Sequence, residues 1–285
     1  MKKQPILLLM SILVSVTFFS CTSKTIKTDE KDLVKRYYLA KDTTKGSLSV
    51  DIEVEIPTEF TDSSVLKAVR ANIISNLFGD EYISQKNDSL VSLFAKELLT
   101  DYKRNNVGLI DALDSTSRYS FNNEHTVSGF SLLSDKTIYV YGIDRYIYMG
   151  GAHGLETRNY YNYNLKTGKL ITENDLFKKN YISELAILIK NRIVEESQES
   201  KDDKNSEKIT SLDDTDFWTD SIKPNGNFYI TDEGVNYVFN PYEIAPYYMG
   251  QTEVTLPFER LKYLLKPNSI ISYLIEKHAK QANNK

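Results

Sequence analysis

The sequence predicts an α+β fold, with mainly antiparallel sheet and helices packed on the sheet faces, open to division into two intimately packed subdomains. Three observations predict it. Residues 48–56 alternate apolar and polar with a period of two, and residues 65–77 and 182–193 carry apolar stripes of helical period. Several neighbouring strand-like runs are joined by short turns, without strict strand–helix alternation.

The elements follow in order. Over 48–56, Leu48, Val50, Ile52, Val54 and Ile56 point to one side and Ser49, Asp51, Glu53 and Glu55 to the other. That is a half-buried strand, which Pro57 is expected to end. Asp62, Ser63 and Ser64 offer N-caps to a helix with Val65, Val69, Ile73 and Leu77 on one stripe and a stop at Gly79. A second helix is expected over 88–102, with Leu90, Phe94 and Leu98 in register, followed by a polar loop over 103–118. Strand-like runs cover 119–133 and 137–148; the second is apolar or aromatic on both faces and is placed centrally in a sheet. A short strand over 160–165 leads into the turn Lys166-Thr167-Gly168-Lys169. Thr172 and Asp175 form a variant capping box before Leu176 and Phe177. A longer helix over 181–196 is expected to bury Ile182, Leu185, Ile189 and Ile193. Residues 195–216 shift abruptly to Glu, Asp, Lys and Ser, the composition of a solvated loop. Strands resume over 227–231, 235–239 and 252–256, and helices over 258–265 and 268–280 complete the chain.

The N-terminus carries a different signal. Lys2 and Lys3 precede an apolar run over 6–19 that is broken only by Ser11, Ser15 and Thr17. Its length suits a signal-peptide core and falls short of the roughly 20 residues that span a bilayer as a helix. Ser20 puts a small residue before Cys21, the one cysteine among 285 residues. Phe18-Phe19-Ser20-Cys21 resembles a lipoprotein cleavage box in the relaxed form familiar in Bacteroidota, with Phe18 where Leu is usual and Phe19 where Ala or Ser is usual. The expectation is cleavage before Cys21 and lipidation of its sulfur, by two or more acyl chains such as palmitate, for stable attachment to a membrane. An uncleaved anchor, or a secretory signal with an incidental cysteine, is the alternative. Thr22 follows the cysteine, not the Asp associated with inner-membrane retention, which favours the outer membrane of a Gram-negative cell. The expected organisation is a signal peptide over 1–20, a flexible tether over 21–34, an N-terminal α+β region over 35–135 and a C-terminal α+β domain over 136–285 with the charged loop 195–216.

Composition narrows the function. Losing Lys2 and Lys3 from 35 basic residues, against 39 acidic ones, takes the formal net charge from −4 to −6. No basic patch is present, so nucleic acid is excluded as the expected partner. One cysteine leaves no internal disulfide and no thiolate metal site, so an ordinary apolar core must carry stability. The 20 tyrosines suit half-buried strands and amphipathic surfaces.

A series of short motifs adds specificity. Tyr148-Met149-Gly150-Gly151-Ala152-His153-Gly154 is followed by Tyr160-Tyr161-Asn162-Tyr163-Asn164-Leu165, Thr167-Gly168-Lys169 and Asp175-Leu176-Phe177. Downstream come Phe239-Asn240-Pro241-Tyr242-Glu243-Ile244-Ala245-Pro246-Tyr247, Gly250, Glu253-Val254 and Leu256-Pro257-Phe258. This ordered series resembles the envelope domain of unknown function found in the anti-sigma factor RsiV. Residues 35–135 resemble, by pattern alone, the N-terminal accessory domain that precedes the catalytic domain of the deacetylase PdaC. The resemblance implies extracytoplasmic binding, with lysozyme the partner bound by the equivalent region of RsiV. It assigns no contact residues. The sequence shows no counterpart of that sensor's transmembrane helix or sigma-binding segment, so its form of signalling is not expected.

The candidate chemistry centres on His153. Gly150, Gly151 and Gly154 around it let the backbone take positive φ or approach another group closely. The segment suits a tight structural turn, a recognition loop with Tyr148, Gly150, Gly151, His153 and Glu156, or an acid–base or ligand site on the histidine. The other histidines, His125 and His278, share no metal-ligand spacing with it, and neither a metal nor a cofactor is implied. Thr231-Asp232-Glu233-Gly234 superficially resembles part of a deacetylase motif but lacks the accompanying histidines and is assigned to a turn. Asp144 and Glu156 are the carboxylates that a glycan hydrolase would need close together. Tyr242, Tyr247 and Tyr248, with Met249, suit either a ligand platform or packing against the sheet edge. The expected function is a lipid-anchored binding module of the cell envelope that recognises a protein, such as a lysozyme, or a cell-wall glycan. A peptidoglycan-directed hydrolase or deacetylase, and a structural lipoprotein without a polar cleft around 148–156, are the alternatives.

Overall fold

The structure is a computed structural model that describes residues 25–109, 121–199 and 208–282. Cys21 and the leader lie outside the described residues. The fold is α+β, as the sequence predicts.

A six-stranded sheet takes the order β1 (Lys27–Tyr38), β2 (Ser47–Glu59), β3 (Asn123–Ser134), β4 (Ile138–Tyr148), β5 (Leu155–Asn164) and β6 (Lys169–Leu170). Its neighbours are antiparallel except β2 and β3, which run parallel. That exception follows from connectivity, because the helices α1 (Ser63–Phe78) and α2 (Asn87–Asn106) separate β2 from β3 and carry the chain back across the sheet. A three-stranded antiparallel sheet, β7 (Phe228–Ile230), β8 (Gly234–Phe239) and β9 (Thr252–Pro257), follows α3 (Glu173–Leu176) and α4 (Tyr181–Glu199). The helices α5 (Phe258–Leu261) and α6 (Ser272–Ala282) come last.

Two apolar clusters lie on opposite faces of the larger sheet. On one face, the inward row of β2 packs with Val65, Val69, Ile73 and Leu77 of α1 and Leu90 of α2. The Asp62 side chain starts α1 by accepting from Ser64 N at 2.9 Å and Val65 N at 3.2 Å. Gly79, at φ +118°, leads the chain out of it. On the other face, Ile138 and Val140 of β4 meet Leu185, Ile189 and Ile193 of α4 and the inner side of the smaller sheet. This double coverage explains why β4 is apolar on both faces over its first half and only half-buried from Asp144 onward. Buried tyrosines carry their hydroxyls to defined partners: Tyr141 Oη donates to Glu55 O at 2.8 Å and Tyr163 Oη to Asn72 Oδ1 at 2.7 Å. Burial pushes both phenols well above the ordinary tyrosine range.

Several elements differ from expectation for identifiable reasons. Residues 27–34, expected within the tether, form most of β1. The strand is charged along much of its length and buries little beyond Leu33, a composition that protects a sheet edge and hides the period-two signal. β2 continues past Pro57 to Glu59 because the register shifts between Lys27 and Thr28, and prolines are tolerated at such irregularities. α2 runs on to Asn106, β5 begins at Leu155, and α4 extends to Glu199, into the segment expected to be a charged loop. Ile182 is 55% exposed and not buried. The inward position in that turn belongs to Tyr181, whose Oη donates to Glu173 Oε2 at 2.8 Å. The helix expected over 258–265 stops at Leu261, since Leu265 forms a bridge with Phe177 and Lys266 N donates to Leu176 O at 2.8 Å. Residues 135 and 136 fall in the turn between β3 and β4, inside one sheet.

The two sheets are joined through asparagine side chains. β6 pairs only with Tyr163 and Asn164, so most of the outer edge of β5 has no strand partner among the described residues. Asn240 Oδ1 accepts from Arg158 N at 2.7 Å, and Asn227 Oδ1 from Tyr160 N at 3.0 Å. Asn227 Nδ2 donates to Arg158 O at 2.8 Å and to Val238 O at 3.0 Å. From β5 itself, Asn162 donates to Phe228 O at 2.7 Å and accepts from Ile230 N at 3.0 Å while only 2% exposed. Asn162→Leu would leave Phe228 O and Ile230 N buried without partners. An expected loss of about 2 to 4 kcal/mol follows from two such groups. Urea unfolding measures it, and a change below about 1 kcal/mol would mean that apolar packing alone holds the sheets together.

Candidate functional site

Residues 149–154 connect β4 to β5, and the last ladder pair before them is Ile147 with Leu155. Gly150 and Gly151 take φ +79° and +133°, so this connection needs the backbone freedom that the glycines supply. Tyr148 Oη closes the turn by donating to Gly151 O at 3.0 Å. Gly154 is required for another reason: a Cβ there would stand 2.4 Å from the Tyr146 ring. The segment is therefore a structural turn, and it also presents His153 at the surface.

The aromatic run arrives from the other side. Asn240, Pro241, Tyr242 and Glu243 form a turn closed by Glu243 N donating to Asn240 O at 3.0 Å. Tyr242 sits at its third position with φ +71°. Proline second and positive φ third is the pattern of a type II turn, whose third position ordinarily takes glycine or asparagine. Tyr247 then begins a short 3₁₀ turn after Pro246.

The two segments meet. His153 stacks on Tyr247 with ring centroids 3.8 Å apart and an interplanar angle of 20°, and Tyr242 lies 5.5 Å from Tyr247. Tyr247 Oη donates to Gly154 O at 2.7 Å, and His153 Nδ1 lies 3.0 Å from the same oxygen. A carbonyl only accepts, so Nδ1 carries the proton and Nε2 of the neutral ring is left as an acceptor. Tyr242 is 53% exposed and Tyr248 69%. Tyr248 is held apart by its hydroxyl's bond to Asp216. Glu156 is exposed on the same sheet face as Tyr146, its ladder partner. The structure thus brings His153, Tyr242 and Tyr247 into one stack, flanked by the Tyr148–Gly151 turn, and places Glu156 and Tyr248 outside it.

Tyr146, Asp216 and Asn240 are the supporting residues that sequence reasoning passes over. Asn240 alone had a local signal, the Asn-Pro dipeptide of a turn. Asp144 does not stand ready for hydrolysis with Glu156. It holds Arg158 in a bidentate pair, with Nε and Nη2 each 2.8 Å from a carboxylate oxygen, which raises the guanidinium's affinity for its proton. Thr231-Asp232-Glu233-Gly234 is the turn between β7 and β8, closed by Thr231 N donating to Gly234 O at 3.0 Å. His125 lies on β3, where burial lowers its pKa below the ordinary histidine value, and His278 lies 3.2 Å from Glu259. Among the described residues, no three His, Cys, Asp or Glu side chains gather to hold a metal ion, and no helix is long and apolar enough to cross a membrane.

An α+β protein of two amide-joined sheets with an aromatic stack at the β4–β5 turn is the class that fold and site define. The chain belongs to the family described as protein of unknown function DUF3298, whose pattern matches residues 174–259. It is similar to the anti-sigma-V factor RsiV of Bacillus subtilis, with 30% identity over 217 residues, covering 74% of this chain and 69% of that protein. It is also similar to the peptidoglycan-N-acetylmuramic acid deacetylase PdaC of the same species, with 21% identity over 238 residues. That match covers 81% of this chain and only 46% of PdaC, so the chain spans about half the length of that relative. A solved DUF3298-family structure from Bacteroides fragilis shares the fold, with a TM-score of 0.78 at 24% identity over 87% of this chain and 97% of that one. Another from Pseudomonas aeruginosa gives 0.52 at 16% identity, over 86% and 98%.

The tautomer deduced above has a direct readout. Nitrogen chemical shifts of His153, recorded on the neutral ring, should show the proton on Nδ1. A dominant Nε2-protonated ring would mean that the 3.0 Å contact with Gly154 O is not a hydrogen bond.

Proposed function

We propose that this protein is a lipid-anchored binding module of the cell envelope, tethered through Cys21 at the outer membrane, whose His153–Tyr247–Tyr242 stack recognises a protein partner. The observation that carries this reading is the conformation of Tyr242. A bulky side chain at positive φ costs about 1 to 2 kcal/mol relative to ordinary backbone, and glycine would remove that strain. The strained ring is nevertheless half-exposed and lies against Tyr247. Rigid tyrosines held ready at a surface supply contact area with little loss of side-chain freedom on binding, the usual economy of protein-recognition surfaces.

The partner to test first is a lysozyme, which the resemblance to RsiV suggests. The acidic balance of this chain supports it, because charge complementarity speeds encounter with a basic protein. Asp51, Glu53 and Glu156 add exposed carboxylates on the sheet face beside the stack.

Three measurements check these statements. Binding of lysozymes to the soluble domain should weaken by about 2 kcal/mol in Tyr247→Ala and in Tyr242→Gly. Tyr242→Gly should also raise thermal stability, by about 1 kcal/mol, as the turn relaxes. Undiminished affinity in both variants would remove the stack from the interface. For the anchor, cells fed labelled palmitate should incorporate it into the wild-type protein and not into Cys21→Ser. Equal labelling of the two would defeat the lipid attachment.

A further inference from the structure

Beyond the aromatic stack, one face of the larger sheet carries a polar groove that the reading above does not use. Its floor is set by strand register. Arg36 of β1 stands opposite Ser49 of β2, Ser49 opposite Glu124 of β3, and Glu124 opposite Tyr148 of β4. Directly paired residues share a face, so these four side chains form one row across four strands. Tyr38, opposite Ser47, begins a second row beside it. Together with Asn122, they line a cavity of ≈ 680 Å³ that is open along one side.

Some of the groove's hydrogen-bonding groups have no partner among the described residues. Arg36 Nε donates to Ser49 Oγ at 3.1 Å, and the terminal nitrogens of the guanidinium have no acceptor among the described residues. Asn122 Oδ1 accepts from Ser47 N at 3.1 Å and Ser47 Oγ at 3.2 Å, which leaves its amide nitrogen as a donor. The Glu124 carboxylate bonds to no other described side chain. A donor, the Arg36 guanidinium, and an acceptor, the Glu124 carboxylate, therefore lie along the row, with tyrosine rings toward its two sides: Tyr38, 44% exposed, and half-buried Tyr148.

We propose that this groove binds an oligosaccharide. A sugar presents hydroxyls that donate and accept at close intervals, which suits a guanidinium and a carboxylate in one row with an amide beside it. Its C–H faces suit tyrosine rings, which offer an apolar surface with a polar tip. Three strand spacings of about 4.8 Å separate Arg36 from Tyr148, a span of roughly 14 Å that accommodates a short chain of sugars better than a single ring. Glu124 in the middle of the row disfavours a phosphate or other compact anion. One carboxylate in the floor is too few for a divalent cation. Tyr148 belongs to both this groove and the turn that presents His153, so the two sites adjoin without sharing their principal residues.

Titration calorimetry of the full folded domain with N-acetylglucosamine oligomers, and with soluble peptidoglycan glycan fragments, tests the proposal. Saturable binding to at least one probe is expected, with Kd raised about tenfold or more in Glu124→Gln and Arg36→Ala. Glu124→Gln keeps the shape of the side chain, and an unchanged thermal midpoint will show that it folds. Tyr247→Ala should leave the sugar affinity unaltered, so failure of the protein-binding reading and failure of this one are distinguishable. No saturable binding at millimolar sugar, or equal affinity in the wild type and Glu124→Gln, would overturn the proposal.

Discussion

The unfinished edge of β5 constrains most of the molecule. An exposed strand edge offers a row of unpaired amides and carbonyls, a template for unwanted pairing with another chain. Here β6 covers only two residues of that edge. The amide side chains of Asn227 and Asn240 meet the backbone of Arg158 and Tyr160, and Asn162 answers from β5 to the backbone of β7. A primary amide carries a donor and an acceptor, as a peptide group does, so it can stand in for a missing strand without continuing the ladder. The smaller sheet can then lie across the face of the larger one and still satisfy its edge. Buried hydrogen bonds of this kind add little net energy while intact and cost much more when one partner is lost.

The same junction places the candidate site. Asn240 is bonded to Arg158 and lies two residues before Tyr242, so the turn carrying Tyr242 is fixed relative to β5. β5 in turn fixes the connection that presents His153. The smaller sheet covers the larger one near Ile138 and Val140 and leaves the opposite end of that face open. Both the aromatic stack and the polar groove lie toward this open end. Their position is thus a consequence of where the second core stops.

What could be read in the sequence was what local physics encodes. The β2 alternation, the Asp62 cap and Gly79 exit of α1, the two-faced apolarity of β4 and the Thr172–Asp175 capping box all depend on neighbours within a few residues. β1 was illegible because an edge strand with charged side chains on both faces has no apolar period. Ile182 fits the helical stripe of α4 by spacing, yet its exposure is set by where the packed surface ends, which no period reveals. The convergence of His153 with Tyr242 and Tyr247 joins segments about ninety residues apart, as the Tyr247–Gly154 bond shows. Their residue types were legible and their meeting was not. The roles of Asn162 and Asn227 were invisible for the same reason, since an asparagine in a strand or loop gives no sign of a distant backbone partner.

The chemistry of the stack also bears on the kind of ligand it suits. Tyr247 Oη and His153 Nδ1 are both directed to Gly154 O, Tyr148 Oη to Gly151 O, and Tyr248 Oη to Asp216. Asp144, on the neighbouring strand, is held by Arg158. These bonds lock the rings in place and leave Nε2 of His153 as the remaining acceptor of the stack. What faces outward is the flat area of the aromatic rings and the remaining nitrogen of His153. A surface that is rigid beforehand loses fewer side-chain rotations on contact, which supports the binding role proposed for it. The glycine-like conformation of Tyr242 adds to that support: local strain is retained at a position that holds a large ring at the surface.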